Sequence, residues 1–143
     1  MDMNIQEQIK TYIANQPESK HSDVQLLHKH ILQVLRGCKL WFDNGLNSEG
    51  KAVTNPTIGY GFFTIKYADG KTKDFFQIGL SANKTGISIY ILGLEDKRYL
   101  AQTFGEALGK AKITGYCIKF NKLKDINIDV LSAAIQYGVG AAN

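Results

Sequence analysis

Two cysteines, three histidines and a crowd of aromatic residues carry most of the chemistry open to this chain. Cys38 and Cys117 are far apart in sequence and neither belongs to a C-x-x-C pair, so a redox couple or a thiolate zinc site is not expected. Cys117 lies in the apolar run Tyr116-Cys117-Ile118, which reads as a strand with the thiol as a small apolar side chain. A nucleophile there would need a base beside it, and the sequence supplies none. His28 and His30 are two apart on a helical stretch and point to different faces. With no H-E-x-x-H pattern present, His21, His28 and His30 read as solvated or half-buried helix side chains. The aromatic group is denser: Trp41, Tyr60, Phe62, Phe63, Tyr67, Phe75, Phe76 and Tyr90 fall within fifty residues. A sheet buried on one side needs half of these inside, and the others could line an apolar pocket on the uncovered side. Trp41, Tyr60, Tyr90 and Cys117 are the expected ligand contacts, the two tyrosines because their hydroxyls can meet a polar group.

Other motifs dissolve on inspection. Gly105-Glu-Ala-Leu-Gly109-Lys110-Ala111 has three residues between its glycines where a phosphate loop has four, and Ala111 stands where Ser or Thr would hold magnesium. The stretch also ends a helix, where the partial charge is negative and repels phosphate. Gly59-Tyr60-Gly61 lacks the third glycine and the helix of a dinucleotide fingerprint and reads as a bulged strand. Glu95-Asp96, Asp125 and Asp129 sit where helix starts would use them. With no Ser-His-Asp or Cys-His constellation assignable, the expectation is a protein that is not an enzyme, with no catalytic residues.

The elements that must hold these residues follow from periodicity. Ile5, Ile9, Tyr12 and Ile13 give an amphipathic helix over roughly 4–15, stopped at Gln16-Pro17. Ser22 is the expected cap of a second helix with Val24, Leu27, Ile31, Val34 and Leu35 inside and Gly37 after its end. A short apolar run, Leu40-Trp41-Phe42, precedes the polar, glycine-bearing stretch 43–55, the first candidate for a lid or partner contact. Ile58–Tyr67, Asp74–Leu80 and Ile87–Leu92 form an antiparallel meander, its first turn signalled by Asp69-Gly70. A helix over about 95–108, a strand over Ile113–Phe120 and a last helix capped by Asn127 and ended by Gly138 and Gly140 complete the chain. The fold class is α+β: two layers, an antiparallel sheet of four or five strands covered by helices, in the order ααββββαβα.

The 143 residues suit one domain, with 44% hydrophobic and 21% charged residues. No run approaches the length of a membrane helix. Met1 to Lys10 has no basic region followed by an apolar core, so no secretory signal is expected and a cytoplasmic location follows. The net charge is +4, balanced over residues 1–50 and basic over 51–143, where twelve Lys/Arg face seven Asp/Glu. Those lysines, among them Lys110, Lys112, Lys119, Lys122 and Lys124, are scattered in sequence, which reads as a solvated, mildly basic surface rather than a nucleic-acid patch.

From Asn55 onward the chain resembles the YdhG-like domain family, a bacterial domain of unknown function. The resemblance is carried by Ile58-Gly-Tyr-Gly61, Lys66-Tyr-Ala-Asp-Gly70, Gly79-Leu-Ser-Ala-Asn83, Ser88-Ile-Tyr-Ile-Leu92, Leu108-Gly-Lys110, Thr114-Gly-Tyr-Cys-Ile-Lys119, Leu123-Lys-Asp-Ile126 and Asp129-Val-Leu131. Tyr12-Ile13-Ala14 and the second helix extend it over nearly the whole chain, while Cys38 to Val53 departs from the pattern. The resemblance implies an α+β fold and, through a branch described as frataxin-like, an intracellular iron chaperone. Such iron binding would use clustered carboxylates. The acids on the first two helices are sparse, with Glu7, Glu18 and Asp23 as the implied metal set. The residues themselves point first to a non-enzymatic cytoplasmic domain that binds a small ligand or a protein on its sheet side. Iron handling is the alternative.

Overall fold

The first and last helices each begin at an asparagine whose side chain accepts N–H groups of the first turn. In the computed structural model, which describes residues 4–83, 86–96 and 98–142, Asn4 caps α1 (Ile5–Ala14) by accepting the Glu7 N–H at 2.8 Å. Helix α2 spans Glu18–Val34 and starts directly after Pro17, whose fixed φ suits a helix entry and whose missing N–H leaves no donor stranded. The expected cap at Ser22 therefore falls inside the helix. The same proline ends one helix and opens the next. Asn127 caps α4 (Ile128–Ala142) as expected, accepting from Asp129 at 3.0 Å and from Val130 at 3.3 Å. Gly138 and Gly140 do not end it. Gly138 is there for contact: a Cβ on it would lie 2.3 Å from Ile91 Cγ2. Helix α3 is Tyr99–Leu108, shorter at its start than the periodicity suggests, and Glu95 and Asp96 precede it. Asp96 instead accepts the Arg98 N–H at 2.9 Å.

The strands are β1 (Leu40–Asp43), β2 (Thr57–Tyr60), β3 (Phe63–Lys66), β4 (Thr72–Phe75), β5 (Ile78–Asn83), β6 (Gly86–Ile91), β7 (Lys112–Thr114) and β8 (Cys117–Phe120). Six of them form one antiparallel sheet in the order β1-β2-β5-β6-β8-β7, and β3 pairs with β4 as a separate ribbon. Six strands plus two replace the expected four or five, for two reasons. The Ile58–Tyr67 and Asp74–Leu80 strands both break near Gly61 (φ +67), which turns their outer halves into a bent arm. Gly115 (φ +57) folds the Ile113–Phe120 strand into the hairpin β7–β8.

All four helices meet one face of the sheet. Ile9 and Ile13 of α1, Val24, Leu27 and Ile31 of α2, Leu100 and Leu108 of α3, and Leu131, Ala134 and Ile135 of α4 join the inward residues of β2, β5, β6 and β8 in one core. Burying these side chains at about 1.5–3 kcal/mol each makes this layer the main source of stability. Two hydroxyl and carboxylate contacts fasten the helices to their neighbours. Tyr12 Oη accepts the Ala82 N–H at 2.9 Å, and Asp23 Oδ2 accepts the Leu123 N–H at 3.0 Å. His30 donates to Ser132, whose own hydroxyl is given to the Ile128 carbonyl at 2.9 Å, so this imidazole ties α2 to α4.

Candidate ligand groove between the first two helices

Two surfaces merit comparison as sites, and the register of the sheet separates them. Along the face away from the helices, Cα partners run Thr114–Cys117, Cys117–Tyr90, Tyr90–Gly79, Gly79–Gly59 and Gly59–Trp41. Trp41, Tyr90 and Cys117, three of the four ligand contacts expected from sequence, thus share one cross-strand file. The fourth does not: Tyr60 is one residue out of phase, points to the helix side and is 0% exposed. It cannot touch a ligand on the sheet side, and the expectation is corrected accordingly.

The paired glycines leave a notch in this file, and the chain fills it. The arm of β3 and β4 brings Phe76 over them, so that a Cβ on Gly59 would lie 2.6 Å from Phe76 Cβ and one on Gly79 would lie 2.9 Å from Phe76 Cε2. Phe75 packs on Phe76 at 4.2 Å between centroids and meets Trp41 edge-on at 6.3 Å. Trp41 gives its indole N–H to the Gly61 carbonyl at 2.8 Å, and the Lys39 ammonium sits 4.2 Å above its ring. Burial pushes the Cys117 thiol and the Tyr90 phenol upward, so both stay protonated at neutral pH. Cys38 is likewise raised by burial. The stretch 43–55 is held by its own turns: Asp43, Asn44 and Asn47 accept the N–H groups of Gly45, Leu46 and Glu49, each at 2.9 Å.

The second surface lies between α1 and α2. The helices diverge from their Pro17 corner and leave a groove of about 390 Å³. Ile9, Ile13 and Ala14 form its apolar side, and Gln6, Lys10, His21, Gln25, His28 and Lys29 supply the polar groups. No carboxylate is among these lining residues. His21, Gln25 and His28 reach one side because positions i, i+4 and i+7 of a helix share a face.

His28 is the fixed point of the groove. Its Nδ1 lies 2.7 Å from Tyr60 Oη. The buried phenol needs an acceptor for its proton, so Tyr60 donates and the His28 proton resides on Nε2. Burial lowers the His28 pKa and raises that of Tyr60 well above its usual value, which keeps both partners neutral at pH 7. The arrangement presents an oriented neutral imidazole N–H from a rigid base.

The carboxylates implied for iron do not assemble. Glu7 is in the first turn of α1, Glu18 opens α2 after the intervening corner, and Asp23 is engaged with the Leu123 N–H. Among the described residues no group of three or more His, Cys, Asp or Glu is placed to hold a metal ion. No helix among the described residues is long and apolar enough to cross a membrane.

No family model, no curated protein and no solved structure matches this chain. The site therefore stands on its geometry. The sequence reads His21, His28 and His30 alike as solvated or half-buried helix side chains; the seven-residue spacing from His21 to His28 is the signal that places both in the groove. The Tyr60 contact, a pairing across 32 residues, has no sequence signal.

Proposed function

We propose that this protein is a non-catalytic binding domain whose ligand seat is the α1–α2 groove. Its ligand is a small molecule or short chain segment with an apolar body and one anionic group. The observation that carries this reading is the pairing of an apolar wall with a lining that holds two lysines, two histidines and no carboxylate. The apolar body would rest on Ile9, Ile13 and Ala14. The anion would sit near Lys10 or Lys29, and the His28 Nε2–H would add a directed hydrogen bond without a buried charge. The reading moves the seat expected on the sheet side to the opposite layer, because Phe76 already occupies the notch between Trp41 and Tyr90.

Decanoate and decanol form the test pair, since they share an apolar chain and differ in charge. By titration calorimetry the carboxylate binds saturably and the alcohol at least about tenfold more weakly, a difference of about 1.4 kcal/mol. Equal affinity for the two would remove the anionic half of the proposal. Absence of binding by either would remove the groove as a ligand seat.

A further inference from the structure

The lysines that looked scattered in sequence are partly gathered by the β7–β8 hairpin, on the layer opposite the groove. Lys112 and Lys119 are direct cross-strand partners, so their side chains leave the same face side by side. Gly109, with φ +108 and its would-be Cβ 2.6 Å from the Asp125 carbonyl, turns the chain so that Lys110 also faces this place. The Lys110 N–H is then fixed to the Asp125 carbonyl at 3.0 Å. These three lysines and Asn121 line a shallow cavity of about 400 Å³. Among the described residues none of the three is in an ion pair.

Like charges placed directly opposite one another on a ladder oppose folding. A lysine on an edge strand has a separate use, since it discourages pairing with another chain. That use covers Lys112 on β7, which is the edge, but not Lys119, which is half-buried on the interior strand β8. A repulsive pair on an inner strand, joined by a third cation and an amide donor around one cavity, has the form of an oxyanion site.

We infer that Lys110, Lys112, Lys119 and Asn121 bind a phosphate group. Two sources share this chemistry: a free phosphorylated small molecule and the backbone of a single-stranded nucleic acid. The latter has room to continue along the uncovered face, where Tyr90 is one strand from Lys119.

The test uses inorganic pyrophosphate in calorimetry and fluorescein-labelled oligo-dT in anisotropy, on wild-type protein and on Lys112→Gln/Lys119→Gln. Lys51→Gln, which removes an exposed loop lysine, is the control. The double variant binds the active probe at least about tenfold more weakly, while the control binds like wild type. For the oligonucleotide the slope of log K against log salt falls by about one per lysine removed. Thermal unfolding guards against misfolding, because relieving the repulsion raises the midpoint of Lys112→Gln and of the double variant. Oligo-dT binding that pyrophosphate does not displace assigns the site to a nucleic-acid backbone. Pyrophosphate binding with no gain from the oligonucleotide assigns it to a small phosphate. Failure of wild type to bind either probe at low salt, or equal loss in Lys51→Gln, overturns the inference.

Discussion

Between α1 and α2 the side chains stop short of one another and leave a groove. Over Gly59 and Gly79 the chain covers a similar recess with its own Phe76. Both places combine apolar side chains with lysine, yet only the first keeps space for something else. The difference lies in what each element is attached to. The arm of β3 and β4 is a continuation of the strands it folds back upon, so its aromatic residues return to the sheet at little cost in loop closure. Helices α1 and α2 are joined only at the Pro17 corner, and each is held to the sheet by its own apolar stripe. The space between them is bounded by two independent attachments and is not closed by either. Aromatic density thus marks where the protein packs against itself, and a sparser mix of small apolar, cationic and amide side chains marks where it stays open.

The sharpest way to break this comparison is to empty the filled side. Phe76→Ala removes the ring from its glycine seat and should cost about 3–5 kcal/mol in urea unfolding. Decanoate affinity per folded molecule should stay at the wild-type value, because the groove lies across the core. A parallel loss of affinity would mean that the two layers are not separate sites.

The next effect concerns the base of the groove. Tyr60→Phe leaves the half-buried His28 nitrogen without its donor and should destabilise by about 1–3 kcal/mol. The same pair has a signature in acid. The folded-state pKa of His28 lies below its unfolded value near 6.5 because burial disfavours the charged imidazole. The unfolded chain therefore binds the proton first, and the associated stability is present above about pH 6.5 and is lost as pH falls through the lowered folded value. His28→Gln should flatten that part of the stability profile. A wild-type profile already flat across it would contradict the assignment.

Smaller effects separate the groove walls from its contents. Asn4→Ala deletes the cap of α1 and should cost about 1 kcal/mol, read as faster hydrogen exchange along α1 with the sheet amides unchanged. Ala14→Phe, at an exposed position on the lip, should change stability by no more than about 0.5 kcal/mol. It should nonetheless weaken decanoate at least about tenfold by filling the space the ligand needs. Unaltered binding in this variant would place the ligand elsewhere.

Much of the fold was legible where the signal is local. The α1 periodicity, the Asn127 cap, the Asp69-Gly70 turn and the α+β class all rest on residues within a few positions of each other. What was not legible depends on contacts made across the chain. Gly138 looks like a helix terminator until Ile91 is placed against it. Gly61 and Gly115 mark breaks in strands, but whether a strand bulges or folds into an arm or hairpin is decided by the partners it finds. The candidate residues divided along the same line. Trp41, Tyr90 and Cys117 fell in one file because a strand period of two can be counted once the strands are paired. Tyr60 was one residue out of phase, and its partner His28 is 32 positions away. The groove itself is a relation between two helices, and neither helix encodes it alone.

On the reading proposed above, the helix layer and not the aromatic sheet face receives the ligand. The most direct measurement is a decanoate titration followed by amide chemical shifts across the whole chain. Saturable shifts are expected at Gln6, Lys10, His21, Gln25 and Lys29, with Trp41, Tyr90 and Cys117 unmoved. Shifts concentrated at Trp41, Tyr90 and Cys117, with the two helices silent, would contradict that reading.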